Sequence, residues 1–317
     1  MRSALWLALV LMSGPCLADT VAGVRHLSEG SDPGRPLALS VWYPSEGPAS
    51  AVIGGNAVFC GVSAAPDAPL PAGPLPLVVV SHGGLRSADD SGAWLSSSLA
   101  QAGFIVVEVS APRPGAPAAA LSEVWQRPRD MRRALDRMLA DGDWRARIDP
   151  GRIAGVGFAL GATAALSVAG APLDGARYRQ SCAGGAGPDC QWLAAGGGLE
   201  LTRPADLAQL TRDPRVSAAV AINPEYEAAL GEPAVPVLRI ILGPGETAPA
   251  ADGMSRQVVL PHATAADAFA ICTPAGPEIL AEDGGDAGLC GLSPEARVAI
   301  HRQVAELVAA FLAGTGK

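Results

Sequence analysis

The chain has 317 residues, 49% of them apolar, with 23 basic against 31 acidic side chains and a net charge of −8. This is long and apolar enough for a sizeable core, and the acidic balance argues against nucleic acid or an anionic membrane surface as partner. The first eighteen residues predict a secretory signal: Arg2 is the charged end, residues 4–12 the apolar run, and Cys16-Leu17-Ala18 the cleavage region. That run is too short to span a bilayer, so the expectation is export to the periplasm or beyond, with no membrane span. Residues 19–317 are then expected to form one domain.

Residues 37–43 alternate apolar and polar and predict a strand, after which Pro44 opens a long Gly/Pro/Ala-rich connection. Residues 77–81 form a short apolar run of the kind found in buried parallel strands. A helix is predicted over 94–102 and a strand over 104–109. Met131, Leu135, Met138 and Leu139 mark an amphipathic helix whose arginines are expected on its outer face. Residues 153–157 read as a strand and 162–168 as a helix. The pattern breaks down over 170–212 and resumes with strands at 216–222, 235–242 and 257–260. The closing helix has Ser293 as N-cap and Pro294 in its first turn, with Ile300, Val304, Leu307, Val308 and Phe311 on its inner face. This alternation predicts an α/β fold with a doubly wound, mostly parallel sheet. The 170–212 segment is read as a small cap or lid over the carboxyl edge of the sheet, where such folds place their sites.

Five cysteines remain once Cys16 is removed with the signal. Two local pairs are expected in an exported protein, Cys182 with Cys190 and Cys272 with Cys290, leaving Cys60 free. Each bridge would contribute on the order of ~2–3 kcal/mol by restricting the unfolded chain. There is no C-x-x-C and no histidine close to any cysteine, so neither a metal nor a cofactor is expected.

Between the strand at 153–157 and the helix at 162–168 lies Gly157-Phe158-Ala159-Leu160-Gly161. This is the frame G-x-S-x-G of a nucleophile elbow, in which a serine sits on a strained strand-to-helix turn. Both glycines stand, but Ala159 has a methyl group where the hydroxyl belongs. Alanine cannot attack a carbonyl or form an acyl intermediate.

Six segments in the expected order resemble the secreted dienelactone-hydrolase-like branch of the α/β-hydrolases, related to platelet-activating-factor acetylhydrolases. They are Arg35-Pro36-Leu37 through Val41-Trp42-Tyr43-Pro44, Asn56-Ala57-Val58-Phe59, the run from Pro76 through Ser81-His82-Gly83-Gly84, Asp149-Pro150-Gly151-Arg152-Ile153-Ala154, Cys272-Thr273-Pro274-Ala275-Gly276, and the closing helix around His301. The resemblance covers about residues 35–313 and implies an α/β-hydrolase fold of the carboxylic-ester or lactone hydrolase type. It places the family nucleophile at Ala159. The family histidine, about seven residues before the cysteine matching Cys272, falls on Ala265, so the base position is vacant too. His262 is the nearby histidine and a weak candidate base. Relatives place the acid after either of two late strands; Glu246 stands at one of these positions and Asn223 at the other. The oxyanion donors are expected to survive, because backbone N–H groups do not depend on side-chain identity: Leu160 after the elbow, and the Gly83-Gly84 loop. His82 is expected to be a structural part of that loop, and Arg113 a surface arginine or an anion contact.

The resulting expectation is an exported, catalytically degenerate homologue that binds an acyl, ester or lactone-like ligand or a protein partner. Two alternatives stand beside it. One is an active serine carboxylesterase or lactonase captured as a nucleophile-to-alanine variant; the other is an esterase with a relocated nucleophile.

Overall fold

The structure is a computed structural model, which describes residues 21–85, 87–183, 189–245 and 255–315. The predicted signal segment lies outside the described residues. Ten strands are described: β1 (Gly23–Glu29), β2 (Leu37–Tyr43), β3 (Ala51–Ile53), β4 (Val62–Pro66), β5 (Leu75–Ser81), β6 (Ile105–Ser110), β7 (Ile148–Phe158), β8 (Ala218–Ile222), β9 (Val237–Leu242) and β10 (Ser255–Leu260). They form one sheet in the order β10-β9-β8-β7-β5-β6-β2-β1-β4-β3. From β6 to β10 every pairing is parallel, while β2 runs antiparallel to both β1 and β6.

The helices are α1 (Ala93–Gln101), α2 (Pro117–Ala120), α3 (Glu123–Ala140), α4 (Gly142–Arg145), α5 (Leu160–Val168), α6 (Gly175–Gln180), α7 (Cys190–Ala195), α8 (Pro204–Leu207), α9 (Gly276–Glu282) and α10 (Pro294–Gly314). Strand side chains alternate between faces, so β5 serves two cores. Val78 and Val80 pack with Trp94, Leu95 and Leu99 of α1 and Val304, Val308 and Leu312 of α10. Leu77 and Val79 pack on the other face with Met131, Leu135 and Met138 of α3 and Val168 of α5. Helices on both faces leave the central strands buried, which is why they read as unbroken apolar runs. The N-cap of α10 is as expected, with the Ala296 N–H donating to Ser293 Oγ at 3.2 Å.

Three features depart from the sequence reading. Strands β1, β3 and β4 were not predicted, since they lie at the sheet edge where a short, partly polar strand carries little periodic signal. The 170–212 segment is not patternless but holds three helices of four to six residues, α6, α7 and α8, too short for an amphipathic period. Two arginines of α3, Arg127 and Arg133, are turned inward, while Arg129, Arg132 and Arg137 are partly exposed. Arg133 is buried, and with Arg35 and Arg127 it forms a chain of ion pairs with Glu29, Glu123 and Asp130. Arg35 grips Glu123 with two hydrogen bonds of 2.7 and 3.0 Å and reaches Asp130 at 2.8 Å. Charges in such a position survive burial because every one is paired.

Both local cysteine pairs are disulfides, Cys182–Cys190 and Cys272–Cys290, and Cys60 is free and exposed. Among the described residues no helix is long and apolar enough to cross a membrane, and no cluster of side chains could hold a metal ion.

Candidate functional site

Strand β7 delivers the chain to Ala159, which has φ 50° and ψ −120° and forms the N-cap of α5. A left-handed φ at a residue with a Cβ costs on the order of ~1–3 kcal/mol and persists only where its surroundings impose it. Here they do. A Cβ on Gly157 would collide with the carbonyl of Gly161, and one on Gly161 with the carbonyl of Ser81 at the end of β5. The two glycines let strand, turn and helix approach more closely than any side chain allows. The Ala159 N–H donates to the Ile222 carbonyl of β8 at 3.0 Å, and its carbonyl accepts from Ala162 at 3.0 Å and Thr163 at 3.2 Å. Ala159 itself is half-buried. The elbow is built in full, and its apex carries a methyl group.

The loop holding Gly83 and Gly84 is fixed from below by Arg127. Its guanidinium donates to the carbonyls of His82 (2.8 Å), Gly83 (2.7 Å) and Gly84 (3.0 Å), and Glu123 holds it in turn at 3.2 Å. This arginine was not singled out from sequence, because nothing local ties it to a loop more than forty residues away. Gly84 also lines a polar cavity of about 40 Å³ with His82, Glu108, Arg113 and Arg127; Ala159 and Leu160 are not among its lining residues. Glu108 accepts the Gly92 N–H at 2.6 Å and the Ser96 hydroxyl at 2.9 Å, and burial pushes its carboxyl up to about 8. Arg113 is exposed.

His82 is buried under the elbow, its ring 4.9 Å from that of Phe158 and 6.1 Å from Phe269. Nε2 lies 3.2 Å from the Ala268 carbonyl, so that nitrogen carries the proton; Nδ1 has no partner among the described residues. Burial, with Arg127 and His301 nearby, pulls its pKa down to about 4, so the ring is neutral near pH 7. His301 resembles it: stacked on Trp94 at 3.7 Å, with Nε2 directed at the carbonyls of Asp267 and Phe269, and pulled down to about 4 by burial.

The expected base and acid positions fare differently. Ala265 opens a short 3₁₀ turn, Ala265–Ala268, after β10. His262 is exposed and makes none of the described hydrogen bonds. Glu246 lies outside the described residues. Asn223, the other acid position, is occupied structurally: its amide accepts the Leu242 N–H at 2.6 Å and donates to the Leu242 carbonyl at 3.2 Å, tying β8 to β9.

Two residues beyond Asn223 stands a carboxylate that the sequence reading missed. It is Glu225, whose backbone packs against the elbow. The Glu225 N–H donates to the Ala159 carbonyl at 3.3 Å, and its carbonyl accepts from Thr163 Oγ1 of α5 at 2.5 Å. Burial, reinforced by Asp189, pushes its carboxyl up to about 7, against the opposing pull of Arg127 and the Leu160 N–H. The only local clue was an Asn-Pro-Glu-Tyr turn directly after a buried strand.

No protein-family model matches the chain, and no curated protein is significantly similar to it. Among solved structures it is similar to a ferulic acid esterase from Streptomyces cinnamoneus, with 19% sequence identity and a TM-score of 0.55, over 95% of this chain and 91% of that one. At that identity the likeness concerns the fold alone, an α/β architecture with a mostly parallel sheet flanked by helices.

Proposed function

We propose that the chain is an exported, catalytically degenerate protein of the dienelactone-hydrolase-like kind, whose elbow site binds an acyl, ester or lactone-like ligand without cleaving it. The observation that carries this reading is Ala159: the strained elbow conformation is kept, with both glycines, at a residue that has no nucleophilic atom. The reading is supported on the base side, where Ala265 stands at the family histidine position and His262 is exposed. Export is supported by the signal-like first eighteen residues and by the two disulfides. In this proposal the 170–212 segment is the cap. Leu160 shares an apolar cluster with its Tyr178, Leu193 and Leu199, so the cap and the elbow form one packed unit.

The test is a fluorophosphonate probe with short p-nitrophenyl esters, using denatured protein as control. Neither labelling nor turnover above control is expected. Ala159→Ser is expected to restore little, because a serine hydroxyl needs a base within hydrogen-bond reach. The double variant with Ala265→His is expected to exceed either single variant by at least ~10-fold, since nucleophile and base act as a unit. High activity of Ala159→Ser alone that disappears on adding His262→Ala would overturn the reading and leave a hydrolase lacking only its nucleophile.

A further inference from the structure

The loop after β10 is held by ring nitrogens that come from other elements. His82, directly after β5, points Nε2 at the Ala268 carbonyl, and Trp94 of α1 donates to the same oxygen at 3.1 Å. His301 of α10 directs Nε2 at the carbonyls of Asp267 (3.0 Å) and Phe269 (3.1 Å). Three successive carbonyls, those of residues 267–269, are thus held by two imidazoles and an indole. The rings belong to one aromatic layer: Trp94 stacks on His301 and lies 5.6 Å from Phe158, on which His82 also packs. Both histidines are buried, and the hydrogen-bond partners described for them are backbone carbonyls, not carboxylates.

We propose that His82 and His301 form an acid-sensitive latch: as neutral rings they hold residues 265–269 against the layer under the elbow, and on taking up protons they release that loop while the sheet stays folded. The inference does not depend on what the elbow binds. The Nε2–H bonds would themselves survive protonation. The change is a second N–H at Nδ1 and a positive charge inside an aromatic layer. For His82 that nitrogen has no acceptor among the described residues. The loop yields before the sheet because it follows β10, an edge strand paired to β9 alone, whereas β5 and β7 are paired on both sides. Local opening starts where the fewest contacts hold the chain.

Burial is the first cause that keeps both rings neutral, and it brings them from 6.5 down to about 4. Around His82, Arg127 of α3 and His301 of α10 add to that effect. Glu108 of β6 meets Gly92 beside the His82 ring but is uncharged in acid, its carboxyl being pushed up to about 8. Around His301, Arg297 of the same helix opposes a charge; Asp267 favours one but is engaged by Arg297 and Thr264. The open loop therefore binds more protons than the closed one. Closure is complete above about pH 6.5 and is lost as the pH falls toward 4. Between about pH 7 and about pH 5 each ring should raise the opening constant about 20-fold.

The experiment is hydrogen exchange read by mass spectrometry at about pH 7 and about pH 5, corrected for the intrinsic pH dependence of amide exchange. In wild type, residues 262–270 are expected to lose protection by at least about 20-fold at the lower pH, with β5 and β7 unchanged. His82→Gln and His301→Gln each keep an N–H donor that cannot be charged. Each should retain part of the dependence, and the double variant none. A second measurement needs no variant: in wild type, NMR of the imidazole carbons should show two rings that stay neutral at about pH 6 and become charged only in the range where the loop opens. The same loss of protection in the double variant would overturn the latch. So would four histidines that all titrate near 6.5, or a loss of protection in β5 and β7 together with the loop, which is global acid unfolding.

Discussion

The elbow at 157–161 and the loop after β10 at 262–269, which the proposed function pairs as nucleophile and base positions, are held in opposite ways. At the elbow a left-handed backbone conformation is imposed on Ala159, whose side chain is a methyl group. In the loop the side chains have structural partners. Asp267 accepts both the N–H and the hydroxyl of Thr264, and pairs with Arg297 of α10 at 3.3 Å. Arg297 is fully buried and also donates to the carbonyls of Ala270 and Leu289. Ala268, in the same loop, offers its carbonyl to both His82 and Trp94. The elbow's strain is imposed by backbone packing and does not depend on the side chain at its apex, whereas the loop is held by side-chain contacts.

If close backbone packing imposes the elbow, then Gly161→Ala should have the largest effect of any single methyl addition. Its Cβ would meet the Ser81 carbonyl, which belongs to a central strand and cannot move aside. The expected loss is at or above the ~3 kcal/mol upper end of overpacking costs, seen in denaturant titration or as failure to recover folded protein. A variant of near wild-type stability would show that the elbow is looser than its geometry implies.

Next in size is Asp267→Ala, which leaves the buried Arg297 guanidinium without its counter-charge. Removing one partner of a buried pair costs about 3–5 kcal/mol; the lower end is expected here, because two backbone carbonyls still hold Arg297. Equilibrium unfolding would measure it. A cost under ~1 kcal/mol, as for an exposed pair, would mean that the loop is not held by this contact.

The smallest change acts in the opposite direction. Ala159→Gly removes the Cβ from a left-handed position, relieving strain of about 1–3 kcal/mol while adding about 0.5–1 kcal/mol of unfolded-state freedom. The expected outcome is a gain of about 1 kcal/mol in denaturant unfolding. Destabilisation would show that the methyl group packs usefully at the apex and outweighs the relief of strain.

What the sequence determined by itself was local or periodic. The elbow frame is five residues, the disulfides close loops of 8 and 18 residues, and the cap of α10 sits beside its own first turn. The central strands announced themselves because burial on both faces leaves an unbroken apolar run. Short edge strands and helices of four to six residues left too little periodic signal, and only the tertiary structure could decide the contacts that join residues far apart in the chain. Arg35 meets Glu123 across 88 positions, Arg127 reaches the Gly84 carbonyl across 43, and Thr163 holds Glu225 across 62. In a sequence, Arg127 and Glu225 look like ordinary solvated charges. Their placement beside the elbow and its neighbouring loop exists only once α3, α5 and the loop after β8 are packed against one another.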